Sequence, residues 1–324
     1  VIRAIIDDLL EVSVVGSFSR IGPVIRRRLF RWRSPVPGSL SGRTALVTGP
    51  TSGLGRETAR ALAALGARVV LVGRSQERLT ELRDELIALH GEDRFPVVLG
   101  DMSSLASVRA ATDGIVRTEA RLDILVDNAG AIYPQRIESV DGIEATLAVL
   151  AVCPFALVSG LLPLLRRSPD GRVIAVTSGG MYTQAVDIED IAGAQRPYSG
   201  ARAYARAKRV QVALIREWAR RTTGSSLTFV AMHPGWTDTP GLAEQLPGFY
   251  RMMRPLLRSL EEGADTIVWL ATTGEVADLN GRLVLDRRTR PFDRLPATHL
   301  DGAERRRLWD IVAGLARAGA GSSP

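Results

Sequence analysis

Tyr204 and Lys208 stand four residues apart in the stretch "YARAK". On a helix that spacing puts both side chains on one face. A free phenol has a pKa of about 10 and exchanges protons poorly at neutral pH. A neighbouring ammonium favours the phenolate and suits the phenol to acid/base work. The chain carries 42 Lys plus Arg residues, and Lys208 is its single lysine. Lysine offers a compact, rotatable point charge; arginine offers a broad planar fork. A chain otherwise committed to arginine therefore has a physical reason for lysine here. A Tyr–Lys pair on a solvated helix is the bland alternative, and a signal further upstream argues against it.

That signal is "TGPTSGLG", in which Gly49, Gly53 and Gly55 follow an apolar strand and open the helical run "ETARALAALG". Thr51, Ser52 and Leu54 complete the turn. Glycines let the backbone approach a pyrophosphate, and the next helix aims its free amides at that charge. The strand–turn–helix context separates a dinucleotide site from an ordinary glycine-rich turn. The second strand ends "LVGRS". A carboxylate at Gly73 would hold a free ribose 2′-hydroxyl; the glycine instead leaves room, and Arg74 suits a 2′-phosphate. The expected cofactor is NADP, with NAD the weaker alternative. Asp101, followed by Met102, ends the third strand, where a carboxylate can accept from an adenine amino group. Asn128, Ala129 and Gly130 end the fourth, where small residues let the cofactor lie close to the sheet. Lys208 can also donate to ribose hydroxyls.

The elements that must position these groups read regularly. "TALVTG", "ARVVLVGR", "FPVVLGD", "LDILVDNAG", "GRVIAVTS" and "LTFVAMHPG" are strands, alternating with helical stretches. This pattern demands an α/β fold: a doubly wound parallel sheet, Rossmann-like, with helices on both faces and right-handed crossovers. A helix around residues 202 to 222 carries the Tyr–Lys pair. Residues 1–40 read as an N-terminal amphipathic, basic helical arm. Residues 41–300 form the main domain, with a substrate lid at about 240–260, and 301–324 a C-terminal helix and tail. The lid carries Leu242, Leu246, Phe249, Tyr250 and Met253, so the expected partner is an apolar small-molecule substrate.

Together "TGPTSGLG", "DNAG", "TSGG" and "YARAK" resemble the classical short-chain dehydrogenase/reductase family, over about residues 40 to 290. The resemblance implies hydride transfer at the nicotinamide C4, with Tyr204 as acid/base and Lys208 as its modulator. It implies Ser178 as the donor that polarises the substrate oxygen. In "HPGWTDT" it implies a cofactor loop in which Pro234 and Gly235 shape the turn, Thr237 contributes, and Thr239 meets the carboxamide. "SGGM", "MHPGWTDTPG", "EEGADTIVWLA" and "DRRTRP" narrow the resemblance to the dehydrogenase/reductase member 12 branch. Broader neighbours of that branch act on retinoids, steroids and other lipid-like carbonyls. One position departs from the pattern. The family carries an asparagine that holds a relay water behind the lysine; here the stretch reads "AVLAVCPF", with Leu150 at that position and Cys153 in place of a glycine.

Other features bound the reading. The net charge is +7, but acidic residues are scattered through the same helices and the basic runs lack interleaved aromatics, which argues against nucleic acid. His90, His233 and His299 lack metal spacing, so no metal is expected. A lone Cys153 excludes an internal disulfide and suits a reducing, cytoplasmic setting. No apolar stretch reads as long enough to span a bilayer. Ile2, Ile5, Ile6 and Leu9 recur at helical spacing, ahead of a run from Ile25 to Arg33 rich in arginine. Residues 1–33 therefore suit either packing on the domain or a peripheral place at a membrane surface. A homo-oligomer stays open. The leading reading is an NADP-dependent oxidoreductase acting on an alcohol or carbonyl of an apolar substrate. The alternatives are a catalytically weak NADP(H)-binding sensor or scaffold, for which Leu150 speaks, and a membrane-surface interaction protein on the same fold.

Overall fold

The computed structural model describes residues 2–318 of the 324-residue chain, so the last residues of the expected tail lie outside them. Three helices come first: α1 (Ile2–Val12), α2 (Val14–Phe18) and α3 (Ile21–Leu29). Alternation then begins with β1 (Thr44–Thr48), α4 (Gly53–Ala64), β2 (Arg68–Gly73), α5 (Gln76–His90), β3 (Val97–Leu99) and α6 (Leu105–Thr118). It continues with β4 (Ile124–Asp127), α7 (Ala145–Leu165), β5 (Gly171–Val176), α8 (Gly200–Arg221) and β6 (Leu227–Met232). The chain closes with α9 (Pro240–Gln245), α10 (Pro247–Met253), α11 (Leu260–Thr272), β7 (Leu283–Leu285), β8 (Arg288–Arg290) and α12 (Gly302–Ala318).

The sheet order is β3-β2-β1-β4-β5-β6-β7-β8. Strands β1 to β7 run parallel, as the alternation predicts, and β8 returns antiparallel to β7. Successive strand residues face opposite ways, and here both faces are apolar. Leu46, Val70, Leu125 and Phe229 pack on one face with α6, α7 and α8. Ala45, Val47, Leu71 and Val230 pack on the other with α4, α5 and α11. The β7–β8 hairpin was not legible in the sequence. Its two-residue turn, Asp286-Arg287, has φ of 53° and 59°, a conformation usually left to Gly or Asn. Buried ion pairs hold it: Asp286 pairs with Arg26 and with Arg258, each at 2.6 Å.

One expectation needs correction. An apolar stretch of membrane-spanning length does exist: α7 has 21 residues and a mean hydropathy of 2.3. The fold buries 72% of its apolar window, as in a core helix. A π-turn at Ala148–Val152 comes just before Pro154, which has no N–H to give.

The arm packs on the domain through two acidic side chains. Its acidic face is buried and its apolar stripe is exposed. Asp7 accepts from Arg26 Nε at 2.6 Å and from Arg290 at 3.0 Å, while Glu11 pairs with Arg26 and Arg294. Burial pushes the Asp7 carboxyl up, but the hydrogen bonds from Arg290 and Arg26 outweigh it and hold the group below the ordinary range. Ile2, Ile5, Leu9 and Val12 stay exposed. Arg26 and Arg290 are buried and need carboxylate partners, and leaving buried guanidinium groups unpaired costs more than exposing a few aliphatic side chains.

Candidate active site

The parallel strands end together on one side of the sheet, and a cleft of about 670 Å³ opens there. Such a position, outside the carboxyl ends of the strands, is where an open α/β sheet takes its ligand. One wall is the turn from β1 into α4. Gly49 and Gly53 have φ of 64° and 51°, and a Cβ on Gly55 would lie 2.1 Å from the Gly49 carbonyl oxygen and 2.5 Å from Asn128 Nδ2. Only glycine permits this close packing of turn on strand. Thr51, Ser52 and Leu54 line the same wall, and the Ser52 side chain makes no capping bond, so the first amides of α4 face the cleft uncapped. The residues fit a dinucleotide pyrophosphate.

The floor is built from strand ends. Thr48 Oγ1 accepts from the amides of Asn128 and Ala129 at 3.0 and 2.9 Å, and Asn128 Nδ2 reaches back to the Thr48 carbonyl. This locks Asn128, Ala129 and Gly130 beside the turn. Arg74 is exposed at the rim after β2, joined there by Arg78, one turn into α5. Arg78 was missed in the sequence because arginine is too common in this chain to stand out. Asp101 accepts from Ser103 N at 2.8 Å with Oδ1, and Met102 lines the same corner.

Ser178, Tyr204 and Lys208 meet on the far side of the floor. Ser178 follows β5; its Oγ accepts from Gly180 N at 3.2 Å, and its hydroxyl lies near enough to the Tyr204 phenol to favour the phenolate form. Lys208 is buried, donating from Nζ to the Val176 carbonyl at 2.6 Å and to Gln211 Oε1 at 3.2 Å. Burial pulls its ammonium down to about 8, and the charge of Asp127 opposes that fall. The expected lowering of the phenol is not found. Burial pushes Tyr204 up, Ser178 partly offsets it, and the ammonium sits 5.9 Å from the ring centroid, directed at the carbonyl.

The loop after β6 closes the cleft. Gly235 has φ of 72°, and a Cβ there would lie 2.4 Å from Arg258 Nε. Pro234 and Thr237 are tied together, Thr237 Oγ1 donating to the Pro234 carbonyl at 3.2 Å. Thr239 Oγ1 accepts from Leu242 N at 3.2 Å, capping α9 and leaving its own hydroxyl proton free to donate. Of the lid stripe, Leu242, Leu246 and Phe249 line the cleft. Met253 is buried and Tyr250 turns to Asp238, because α10 is too short to present all its apolar residues to one side. His233 is buried between Phe18 and Tyr182, and neither ring nitrogen has a hydrogen-bond partner among the described residues. Cys153 is buried and its thiol pushed up to about 12, which leaves it inert. Among the described residues no group of His, Cys, Asp or Glu is arranged to hold a metal.

This fold and cleft define a short-chain dehydrogenase. The family model described as short chain dehydrogenase matches residues 43–248, and the chain belongs to that family. It lies in the branch of dehydrogenase/reductase SDR family member 12: the Homo sapiens protein of that name is 35% identical over 86% of this chain and 87% of its own. Polyprenol dehydrogenase of Mus musculus is also 35% identical, over 97% of this chain and 96% of its own. Among solved structures, the Pseudomonas aeruginosa RhlG/NADP active-site complex is 27% identical with a TM-score of 0.63, covering 78% of this chain and 97% of that one.

Proposed function

We propose that the protein is an NADP-dependent oxidoreductase acting on an alcohol or carbonyl group of an apolar small molecule. The observation that carries this reading is the convergence of Ser178, Tyr204 and Lys208 in the cleft that the glycine-rich turn also lines. NADP, when bound, supplies the nicotinamide that exchanges hydride with the substrate carbon. Tyr204 gives or takes the proton at the substrate oxygen, and Ser178 donates to that oxygen and orients it. Lys208 places a positive charge 5.9 Å from the Tyr204 ring centroid to answer a phenolate formed during turnover, although in the cofactor-free site burial of the phenol dominates. Gly73, Arg74 and Arg78 support the 2′-phosphate and so NADP over NAD. Leu242, Leu246 and Phe249, with a relative named for polyprenol, support an apolar substrate. The test is a screen of apolar ketones, aldehydes and alcohols with NADPH or NADP, read at the nicotinamide absorbance. No turnover across that set, with cofactor binding intact, favours the NADP(H)-sensing alternative to which Leu150 points.

A membrane-surface role for residues 1–33 has its own support. Ile2, Ile5, Leu9 and Val12 are exposed, and Arg27, Arg28, Arg31 and Arg33 are exposed on the same arm. An apolar stripe flanked by arginine suits an anionic interface, at about 1 kcal/mol per basic residue. Sedimentation with anionic and neutral vesicles tests it. Equal pelleting of the full chain and of one beginning at Ser39 removes the reading.

A further inference from the structure

Leu150 has no group with which to hold a relay water behind Lys208. It is fully buried, and its Cδ2 would lie 3.2 Å from a Cβ on Gly130. Another polar group has nevertheless reached the lysine. Gln211 lies three residues on along α8, on the same face. Its Oε1 accepts from Lys208 Nζ at 3.2 Å, and its Nε2 donates to Asp127 Oδ2 at 2.7 Å. Asp127 ends β4, one residue before Asn128. It is 3% exposed, and its Oδ1 has no hydrogen-bond partner among the described residues. A carboxylate so placed is costly unless an opposite charge answers it.

We propose that Asp127 and Gln211 are positioning residues that do the work of the missing asparagine, clamping Lys208 as a fixed buried cation behind Tyr204. The catalytic use of the clamp rests on the oxidoreductase reading; its geometry does not. The Gln211 amide has a direction. Its carbonyl faces an ammonium and its NH₂ faces a carboxylate, so turning it over would set donor against donor. An amide in this chain passes orientation and charge, not protons. The proton leaving or reaching Tyr204 is therefore exchanged on the cleft side, through Ser178 and solvent. Asp127 from β4 and Tyr204 from α8 are the titratable groups that face Lys208, while β5 adds only the Val176 carbonyl. Burial raises the Asp127 carboxyl and lowers the Lys208 ammonium, and each charge opposes the shift of the other.

The single lysine makes the test direct. Cofactor-free protein labelled with ¹⁵N at lysine Nζ gives one such signal, whose titration reports Lys208 alone. Asp127→Asn, which keeps the shape, should lower the midpoint by about one unit or more, and Gln211→Met should lower it as well. The double variant Asp127→Asn with Gln211→Glu returns a carboxylate to the chain with the hydrogen bonds reversed, and should restore the midpoint. Circular dichroism checks the fold of each variant. An unchanged midpoint in folded Asp127→Asn overturns the proposal, as does a double variant no different from Asp127→Asn alone. The titration needs neither cofactor nor substrate, so a failed substrate screen removes the oxidoreductase reading and leaves the clamp standing. With a substrate in hand, the pH profile of turnover should move with the midpoint.

Discussion

The main-chain carbonyl of Phe18 accepts a hydrogen bond from Trp236 N at 2.7 Å, tying the N-terminal arm to the loop that closes the cleft. The same carbonyl accepts from Arg258 Nε at 3.0 Å, and the Phe18 ring fills the space against Gly179, just after Ser178. The arm therefore backs the loop that walls the site. A chain beginning at Ser39 should melt earlier and bind NADPH more weakly, each lost hydrogen bond costing about 1 kcal/mol. Nicotinamide fluorescence titration measures this. Unchanged affinity in a folded truncated chain would show that the loop holds itself.

The buried ion pairs at the β7–β8 turn predict a large stability effect. Asp286→Ala leaves Arg26 and Arg258 without their shared carboxylate and the unusual turn without its anchor. Breaking a buried pair from one side costs about 3 to 5 kcal/mol. Urea unfolding should register a loss of that size, well beyond that of a surface pair such as Arg83–Asp93.

Arg74→Asp should erase or reverse a preference for NADPH over NADH. Losing one charge-assisted phosphate contact costs about 1.5 to 3 kcal/mol, and the new carboxylate repels a 2′-phosphate. Arg78→Ala should weaken NADPH alone. Equal binding of both cofactors by the unaltered protein would exclude the NADP assignment.

Tyr204→Phe should abolish turnover with cofactor binding nearly intact, since the phenyl ring keeps its packing and loses only the hydroxyl that exchanges the proton. Lys208→Arg should damage both. The guanidinium fork cannot enter the pocket bounded by the Val176 carbonyl and Gln211 without displacing one of them. Steady-state rates beside fluorescence binding separate the two effects.

His233 predicts a pH dependence of stability. Burial, then the charges of Arg258, Arg294, Arg290 and Arg26, hold its imidazole well below 6.5. The unfolded chain binds a proton that the folded one refuses. Stability is thus full above about pH 6.5 and falls by about 1.4 kcal/mol per unit as pH drops below it. His233→Phe should flatten that slope down to the range where carboxylates such as Asp7 begin to titrate. Denaturant midpoints between pH 7 and 5 check it; equal slopes in both proteins would assign the loss to other groups.

Local pattern alone carried much of this molecule. The apolar strands separated by helical runs dictated a sheet covered on both faces, because strands apolar on both sides have no face to give to water. The glycines of the first turn, the small residues after β4 and the Tyr204–Lys208 spacing are likewise short-range signals, and all the residues drawn from them line one cleft. What the tertiary structure alone decided concerns polar partners far apart in the chain. Asp127 meets Gln211 across 84 positions, and Asp7 meets Arg290 across 283. No spacing rule reaches so far. A charged residue in sequence reads as a solvated one, and it becomes a buried clamp or strap only when packing removes water from it and leaves one opposite charge within reach. For that reason the apolar stripe of α1 read in sequence as a face for either the domain or a membrane, while the assembled domain, with its arginines to neutralise, took the acidic one.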